Sequence, residues 1–199
     1  VGSEMCIRDR SWDDVILQGP HLGVSTPMIK QPNPTLKHNQ DWSEIDLEAM
    51  PADFIPATAY QPDRDTQPDY DSDYGSWLER AERVPVRSSY RICWRAMAAT
   101  TGFRTLYPSL APPGTTHIHG VHSGASIGDG ATTVAVGAVL SSLLIDYQLR
   151  ATGLANLYGP TIEALAYPGL NELEDPLIAN YLRLNCLTEA YAPLWEGLM

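Results

Sequence analysis

The longest uncharged apolar stretch of the chain, residues 131–145, sets the strongest limit on how the chain can fold. It falls short of the ~18 apolar residues that a membrane-spanning helix requires, and it contains four hydroxyl side chains. Such a segment has to be covered by other parts of the chain. It therefore predicts a long buried helix over residues 132–150, in a globular fold without a membrane span.

Around this helix the sequence predicts a single α+β domain with a small mixed or antiparallel sheet and C-terminal helices, preceded by a long irregular N-terminal segment. Residues 88–101 are predicted to form a helix, because Tyr90 and Trp94 begin an apolar pattern of helical period. A turn is expected at Pro112-Pro113-Gly114. The other predicted elements are two strands and two helices, at residues 105–111, 115–122, 175–187 and 191–198.

The chain divides into three segments by composition. Residues 1–10 are similar to a translated sequencing-adapter read-through, so we expect a non-native leader and a chain that is a fragment of a longer protein. Residues 11–83 are predicted to be an extended linker-side segment with an acidic loop. Residues 84–199 are predicted to form the α+β core.

Charge is unevenly distributed along the sequence. The net charge is −11, and residues 41–83 alone contain twelve acidic and three basic side chains. Bulk charge of this sign opposes nucleic-acid binding, because phosphate affinity comes from lysine and arginine. A local basic face is still possible, since Arg87, Arg91, Arg95 and Arg104 are close in sequence.

The three cysteines, Cys6, Cys93 and Cys186, are far apart and show no paired spacing. This pattern argues against a disulfide framework or a zinc ribbon. It is typical of a reducing compartment, so we expect a cytoplasmic protein.

Three histidines lie close together at His117, His119 and His122. They approximate the His-x-His-x-Asp-His run of metallo-β-lactamase-like hydrolases, although Val121 stands at the Asp position and no histidine follows His122. Zinc sites need three or four ligands and a second shell, so this shortfall counts against a zinc site. A metal-dependent hydrolase that uses the three histidines is kept as an alternative.

Several short motifs, in this order, resemble the C-terminal target-recognition region of adenine-specific DNA methyltransferases. The relatives are fused type IIG-like restriction–modification enzymes and related phage-defence methylases. In that family an "Arg-x-Thr-(Leu/Met)…Pro-Pro-Gly" motif comes before a helix with the pattern "Ser-x-x-x-Asp-(Tyr/Phe)-x-x-Arg". The matching residues here are Arg104, Thr105, Leu106, Pro112, Pro113, Gly114, Ser142, Asp146, Tyr147 and Arg150.

The resemblance covers residues 12–196 and implies a DNA-sequence-recognition fragment of a methyltransferase dependent on S-adenosylmethionine. It implies double-stranded DNA and a covalently linked methyltransferase domain as partners. The chain lacks the family's Asn-Pro-Pro-Tyr catalytic loop and its glycine-rich cofactor site. We therefore expect no catalytic residues, no S-adenosylmethionine binding and no metal in this chain. Phe103 also departs from the family, which commonly has an acidic residue there.

Residue chemistry within this resemblance gives the candidate DNA contacts. Amide and imidazole side chains suit base edges, and lysine and arginine suit phosphates. The predicted base readers are Asn33, His38 and Asn39. The predicted phosphate contacts are Lys30, Lys37, Arg87, Arg91, Arg95 and Arg104. Asp146 and Arg150 are instead expected to hold the long helix in the domain.

A third possibility is a protein-interaction module whose acidic segment binds a basic partner. It competes with the DNA-recognition and hydrolase hypotheses.

Overall fold

The computed structural model describes residues 11–79, 82–98 and 101–199. The strands in these residues are β1 (Ile16–Leu17), β2 (Lys30–Pro32), β3 (Trp42–Glu44), β4 (Ser76–Glu79), β5 (Glu82–Pro85), β6 (Arg91–Arg95), β7 (Ser109–Ala111), β8 (Thr116–His117) and β9 (Val121–Gly124). The α-helices are α1 (Tyr70–Asp73), α2 (Gly130–Leu140), α3 (Leu143–Thr152), α4 (Gly159–Glu163), α5 (Glu174–Asn185) and α6 (Ala192–Leu198). The predicted single α+β domain is confirmed. The leader at residues 1–10 lies outside the described residues.

A three-stranded antiparallel sheet, ordered β7-β6-β9, lies at the centre of the fold. The helix predicted at residues 88–101 is wrong, because the middle strand β6 occupies residues 91–95. Residues 99 and 100 of the predicted helix lie outside the described range. Alternate side chains of β6 point to opposite faces, so Ile92 and Trp94 pack into the main core while Cys93 packs into a second one. Burial on both faces, and not amphipathic periodicity, explains the apolar pattern of this segment.

Helix α2 packs against the sheet and against α5. The long helix predicted at residues 132–150 is in fact two helices, α2 and α3, bent by 62° at the break between them. Ser142 begins the second helix as its N-cap, because its side chain accepts a hydrogen bond from the Ile145 amide at 3.3 Å. The two predicted C-terminal helices correspond to α5 and α6.

The predicted strand at residues 105–111 is reduced to β7, and the one at 115–122 is divided into β8 and β9. The turn between β7 and β8 is confirmed, with Gly114 at a φ of +90°. Glycine is required there because a Cβ atom would lie 2.7 Å from Oδ1 of Asp13.

The N-terminal segment forms a second layer on the far face of the sheet. Strand β1 pairs in parallel with β8, and Val15, Leu17 and Leu22 pack around Cys93. Residues 15–22 are thus integral to the fold. Among the described residues, no single helix has the length and apolar character to cross a membrane, and only the bent pair α2 and α3 reaches those limits jointly.

Candidate nucleic-acid interface

Five of the nine predicted DNA contacts lie on one element, the antiparallel hairpin formed by β2 and β3. These residues are Lys30, Asn33, Lys37, His38 and Asn39. The root of the hairpin is fixed to the body of the protein. Trp42 contacts the buried His21 ring edge-on at a centroid distance of 4.8 Å, and the Ile45 amide donates to the Ile29 carbonyl.

The tip of this hairpin is closed around the carboxylate of Asp41. Oδ1 accepts a hydrogen bond from the Asn33 side-chain amide at 2.7 Å. Oδ2 accepts from the Thr35 hydroxyl at 2.8 Å and from the Lys37 backbone amide at 2.9 Å. These bonds, the one from Asn33 first, lower the pKa of Asp41 to about 2. The ionised carboxylate is thus the centre of the hairpin tip, next to the pair of residues that ends the β2–β3 ladder.

The side chains beyond this centre point into solvent. Lys37, His38, Asn39 and Gln40 are all exposed. In the described part of the chain the side chains of Lys37 and Asn39 form no hydrogen bond or ion pair, and Lys30 makes an exposed ion pair with Glu44 at 3.5 Å. The tip therefore presents one cation and several hydrogen-bonding groups from an ordered backbone, which suits contact with the polar edges of another molecule.

Asn33 does not belong to this outward-facing set. Its amide nitrogen donates to Asp41, and its carbonyl oxygen accepts from the Ser43 hydroxyl. The predicted role of Asn33 as a base reader is therefore corrected to a positioning role. The sequence analysis missed Asp41 itself. The available signal was an aspartate eight residues after an Asn-Pro pair, because aspartate side chains commonly hydrogen-bond to backbone amides in turns.

The four arginines predicted as phosphate contacts are turned inward. Arg87 is buried, donates to the carbonyls of Gly114 and Asp13, and forms an ion pair with Asp71. Arg95 donates to the Leu22 carbonyl, with its guanidinium 4.2 Å from the centre of the Tyr107 ring.

The other two arginines also form their hydrogen bonds within the protein. Arg104 donates to the carbonyls of Ser141 and Ser142 at 2.7 and 3.1 Å, where the α2–α3 break exposes them. Arg91 has no exposed surface at all. A duplex on the protein surface cannot reach these groups without displacing existing bonds. The structure gives the four arginines internal roles in place of the predicted phosphate contacts.

The two most specific motifs of the resemblance meet at Asp146. Its Oδ1 accepts hydrogen bonds from the backbone amides of Thr105 and Leu106 at 2.6 and 3.1 Å. Arg104 and Arg150 lie 3.3 and 3.7 Å from the carboxylate. Burial raises the pKa of Asp146, but the two amides and Arg104 outweigh it and hold the pKa below its ordinary value. The predicted anchoring role of Asp146 and Arg150 is confirmed.

The three histidines do not form a metal site. His117 hydrogen-bonds through its two ring nitrogens to the Ile118 carbonyl and the Ser123 hydroxyl, and burial lowers its pKa to about 4. His122 lies against the rings of Trp94 and Tyr158, and His119 is exposed. Across residues 11–79, 82–98 and 101–199, no three His, Cys, Asp or Glu side chains are placed to hold a metal ion. This arrangement gives the hydrolase alternative no support from side-chain geometry.

The acidic segment is partly used inside the protein. Asp71 binds both Arg64 and Arg87, and Arg64 also pairs with Asp14 at 2.7 Å. These contacts tie the segment to the N-terminal layer. The chain matches no protein-family model, no curated protein and no solved structure.

Proposed function

We propose that this chain is a DNA-sequence-recognition segment of an adenine-specific DNA methyltransferase, and that its β2–β3 hairpin enters the major groove. The observation that carries the proposal is the ordered hairpin tip, with Lys37, His38 and Asn39 exposed around the Asp41 centre. A two-stranded ribbon fits the major groove, where an asparagine amide can pair with an adenine edge.

The contact network around Asp146 gives independent support to the resemblance. The motif residues are not scattered, because Arg104, Thr105 and Leu106 of one motif contact Asp146 of the other. Residues that match a family pattern in sequence and contact one another in space are what a shared fold requires. In this proposal the motifs build the scaffold and the hairpin reads the DNA.

Selection from a pool of duplexes with a randomised central region tests the proposal, because the recognised sequence need not be known. We expect the wild-type chain to enrich a common short sequence. The double variant Lys37→Ala, Asn39→Ala should lose the enrichment by roughly 5- to 150-fold, which corresponds to 1–3 kcal/mol for a base contact.

A matched control uses the same residue chemistry on a different surface. Asn180→Ala with Arg183→Ala removes one exposed amide and one exposed cation from α5 and should leave the enrichment unchanged. Absence of a common sequence in the wild-type selection, or equal enrichment by the hairpin variant, would contradict the proposal. We also expect calorimetry to detect no heat of S-adenosylmethionine binding to this chain.

A further inference from the structure

Arg91 is a buried cation whose charge no acidic side chain balances. It has no exposed surface, and its Nη2 donates to the backbone carbonyl and the hydroxyl of Thr115. Its Nε and Nη1 atoms are buried and have no hydrogen-bond partner among the described residues. Those two nitrogens carry three of the five N–H groups of the guanidinium, and none of the three makes a hydrogen bond of normal geometry.

Three other arginines of the same structure are neutralised by carboxylates. Arg87 pairs with Asp71, Arg64 with Asp14 and Arg104 with Asp146. Within the described ranges, no carboxylate forms an ion pair with Arg91. Asp71 lies only three residues before Tyr74, the residue that covers Arg91, but it pairs with Arg64 and Arg87 instead. Arg95 also has no carboxylate partner in the described part of the chain, but it is only half-buried. Buried charges are normally paired or bound to a ligand, so complete burial without a carboxylate distinguishes Arg91.

The groups around Arg91 do not supply the missing negative charge. Burial raises the pKa of the Tyr74 phenol above 10 and that of the Cys93 thiol to about 11. Burial also lowers the pKa of His117 to about 4, so its ring is uncharged at pH 7. All three neighbours are neutral under physiological conditions, and the local net charge is that of the guanidinium.

Tyr74 is the lid over this cation. Its ring centre lies 5.7 Å from the Arg91 guanidinium carbon and 5.7 Å from the centre of the His117 ring. The Tyr74 hydroxyl interacts with the Arg91 guanidinium and with the His117 backbone, but neither contact has the geometry of a normal hydrogen bond. Gly75 follows at a φ of +121°, with nothing within 4 Å of the position of a Cβ atom.

We infer that Arg91 and Tyr74 form a closed binding site for a small oxyanion, with phosphate as its simplest member. The Nε and Nη1 groups would bind the oxyanion with charge-assisted hydrogen bonds, and the Tyr74 hydroxyl would donate a further bond after its ring moves outward. This site lies on the face of β6 that carries Cys93, toward the second layer, and the inference does not depend on the proposed DNA recognition.

Phosphate binding to the full chain tests the inference directly. Thermal unfolding is measured in sodium chloride and in sodium phosphate of equal ionic strength at pH 7, and ³¹P NMR line widths give the dissociation constant. At a phosphate concentration ten times that constant, the melting temperature should rise by about 3–6 °C. Equal melting temperatures in the two salts would overturn the inference.

Two arginine variants separate the site from general salt effects. Arg91→Met should abolish the phosphate-dependent rise, and it should fold at least as stably in chloride because it removes an uncompensated buried charge. Arg83→Met, at an exposed position on β5, should keep the full rise. A rise that survives in Arg91→Met would overturn the site.

Tyr74→Phe decides the question if Arg91→Met does not fold. It keeps the ring over the guanidinium and removes only the hydroxyl ligand, so phosphate affinity should fall several-fold. Unchanged affinity would contradict the inference. Duplex DNA added to the phosphate-bound chain should leave the ³¹P line width unchanged. Displacement of phosphate by the duplex would overturn the assignment to a free oxyanion.

Discussion

Asp146 combines a structural and an electrostatic role in one carboxylate. Its carboxylate accepts hydrogen bonds from the backbone amides of Thr105 and Leu106, and it lies between Arg104 and Arg150. Charge-assisted bonds to a carboxylate are stronger than neutral ones, and the side chain is only 8% exposed. Asp146 therefore fixes the position of α3 relative to the chain before β7.

Replacement of Asp146 tests that role. Asp146→Ala leaves two buried amides without an acceptor and removes the carboxylate between two cations, so we expect a loss of about 3–5 kcal/mol in the free energy of unfolding. Urea unfolding measures the loss. Asp65→Ala, at an exposed position, should stay within about 0.5 kcal/mol of the wild type. A small effect at Asp146 would show that α3 is held by apolar packing alone.

His21 predicts a pH dependence of stability. Its ring is fully buried, accepts from the Gln18 amide and donates to the Ala57 carbonyl. Burial lowers its pKa from 6.5 to about 4. The folded state therefore excludes a proton that the unfolded state binds, so this stability is complete above pH 6.5 and is lost as the pH falls toward 4. The loss amounts to roughly 3 kcal/mol.

Unfolding free energies measured between pH 7.5 and pH 4 test this expectation. His21→Gln should have a smaller pH dependence than the wild type, because its amide does not titrate. His38→Gln, on the exposed hairpin tip, is the matched control and should keep the wild-type dependence. His117, with a pKa also near 4, contributes to the dependence in the same direction and remains in both variants.

At the scale of elements, strand β6 shows why a helix was predicted from its sequence. Tyr90 and Trp94 match a helical repeat, but Ile92 and Trp94 on one face and Cys93 on the other are equally buried. Period two and period 3.6 cannot be separated over so few residues when both faces are apolar. The second layer that buries Cys93 comes from distant residues, and local periodicity contains no information about it.

The break between α2 and α3 could have been predicted from two residues of the sequence. Ser141 and Ser142 lie inside an apolar run, where serine favours a cap over a helix interior. The apolar period continues across the break, so a single helix was predicted. The Arg104 guanidinium then binds the carbonyls of both serines. That contact is a tertiary one, and only the structure shows it.

Gly137 marks the closest approach between α2 and its neighbours. A Cβ atom there would lie 2.5 Å from Cδ1 of Ile92 and 2.6 Å from the Tyr181 hydroxyl. We expect Gly137→Ala to reduce stability by about 1–3 kcal/mol through overpacking, despite the higher helix propensity of alanine. Gly197→Ala in α6 meets no atom within 4 Å and should be neutral or stabilise by up to about 1 kcal/mol. Thermal unfolding compares the two, and a stabilising effect at Gly137 would contradict the packing.

On the scale of the whole molecule, the net charge of −11 requires any DNA contact to be local. The sequence could predict that segregation but not the burial of the arginines, because their partners Asp71, Asp13 and Asp146 come from distant segments. Lys30, Lys37, His38 and Asn39 lie close together because they are close in sequence, but the β2–β3 hairpin that carries them was not predicted. Closeness in sequence was therefore informative, whereas strand pairing and long-range ion pairs were not predictable.

The salt dependence of DNA binding measures how many cations contact phosphate. Six candidate cations would give a slope of about −5 in a plot of log binding constant against log salt, at about −0.9 per contact. With the four arginines turned inward, Lys30 and Lys37 remain, and we expect a slope of about −2. Lys37→Ala should reduce the slope by about one unit, whereas Arg183→Ala on α5 should not change it. A wild-type slope near −5 would show that the arginines reach DNA after a rearrangement, and it would contradict the hairpin as the main contact.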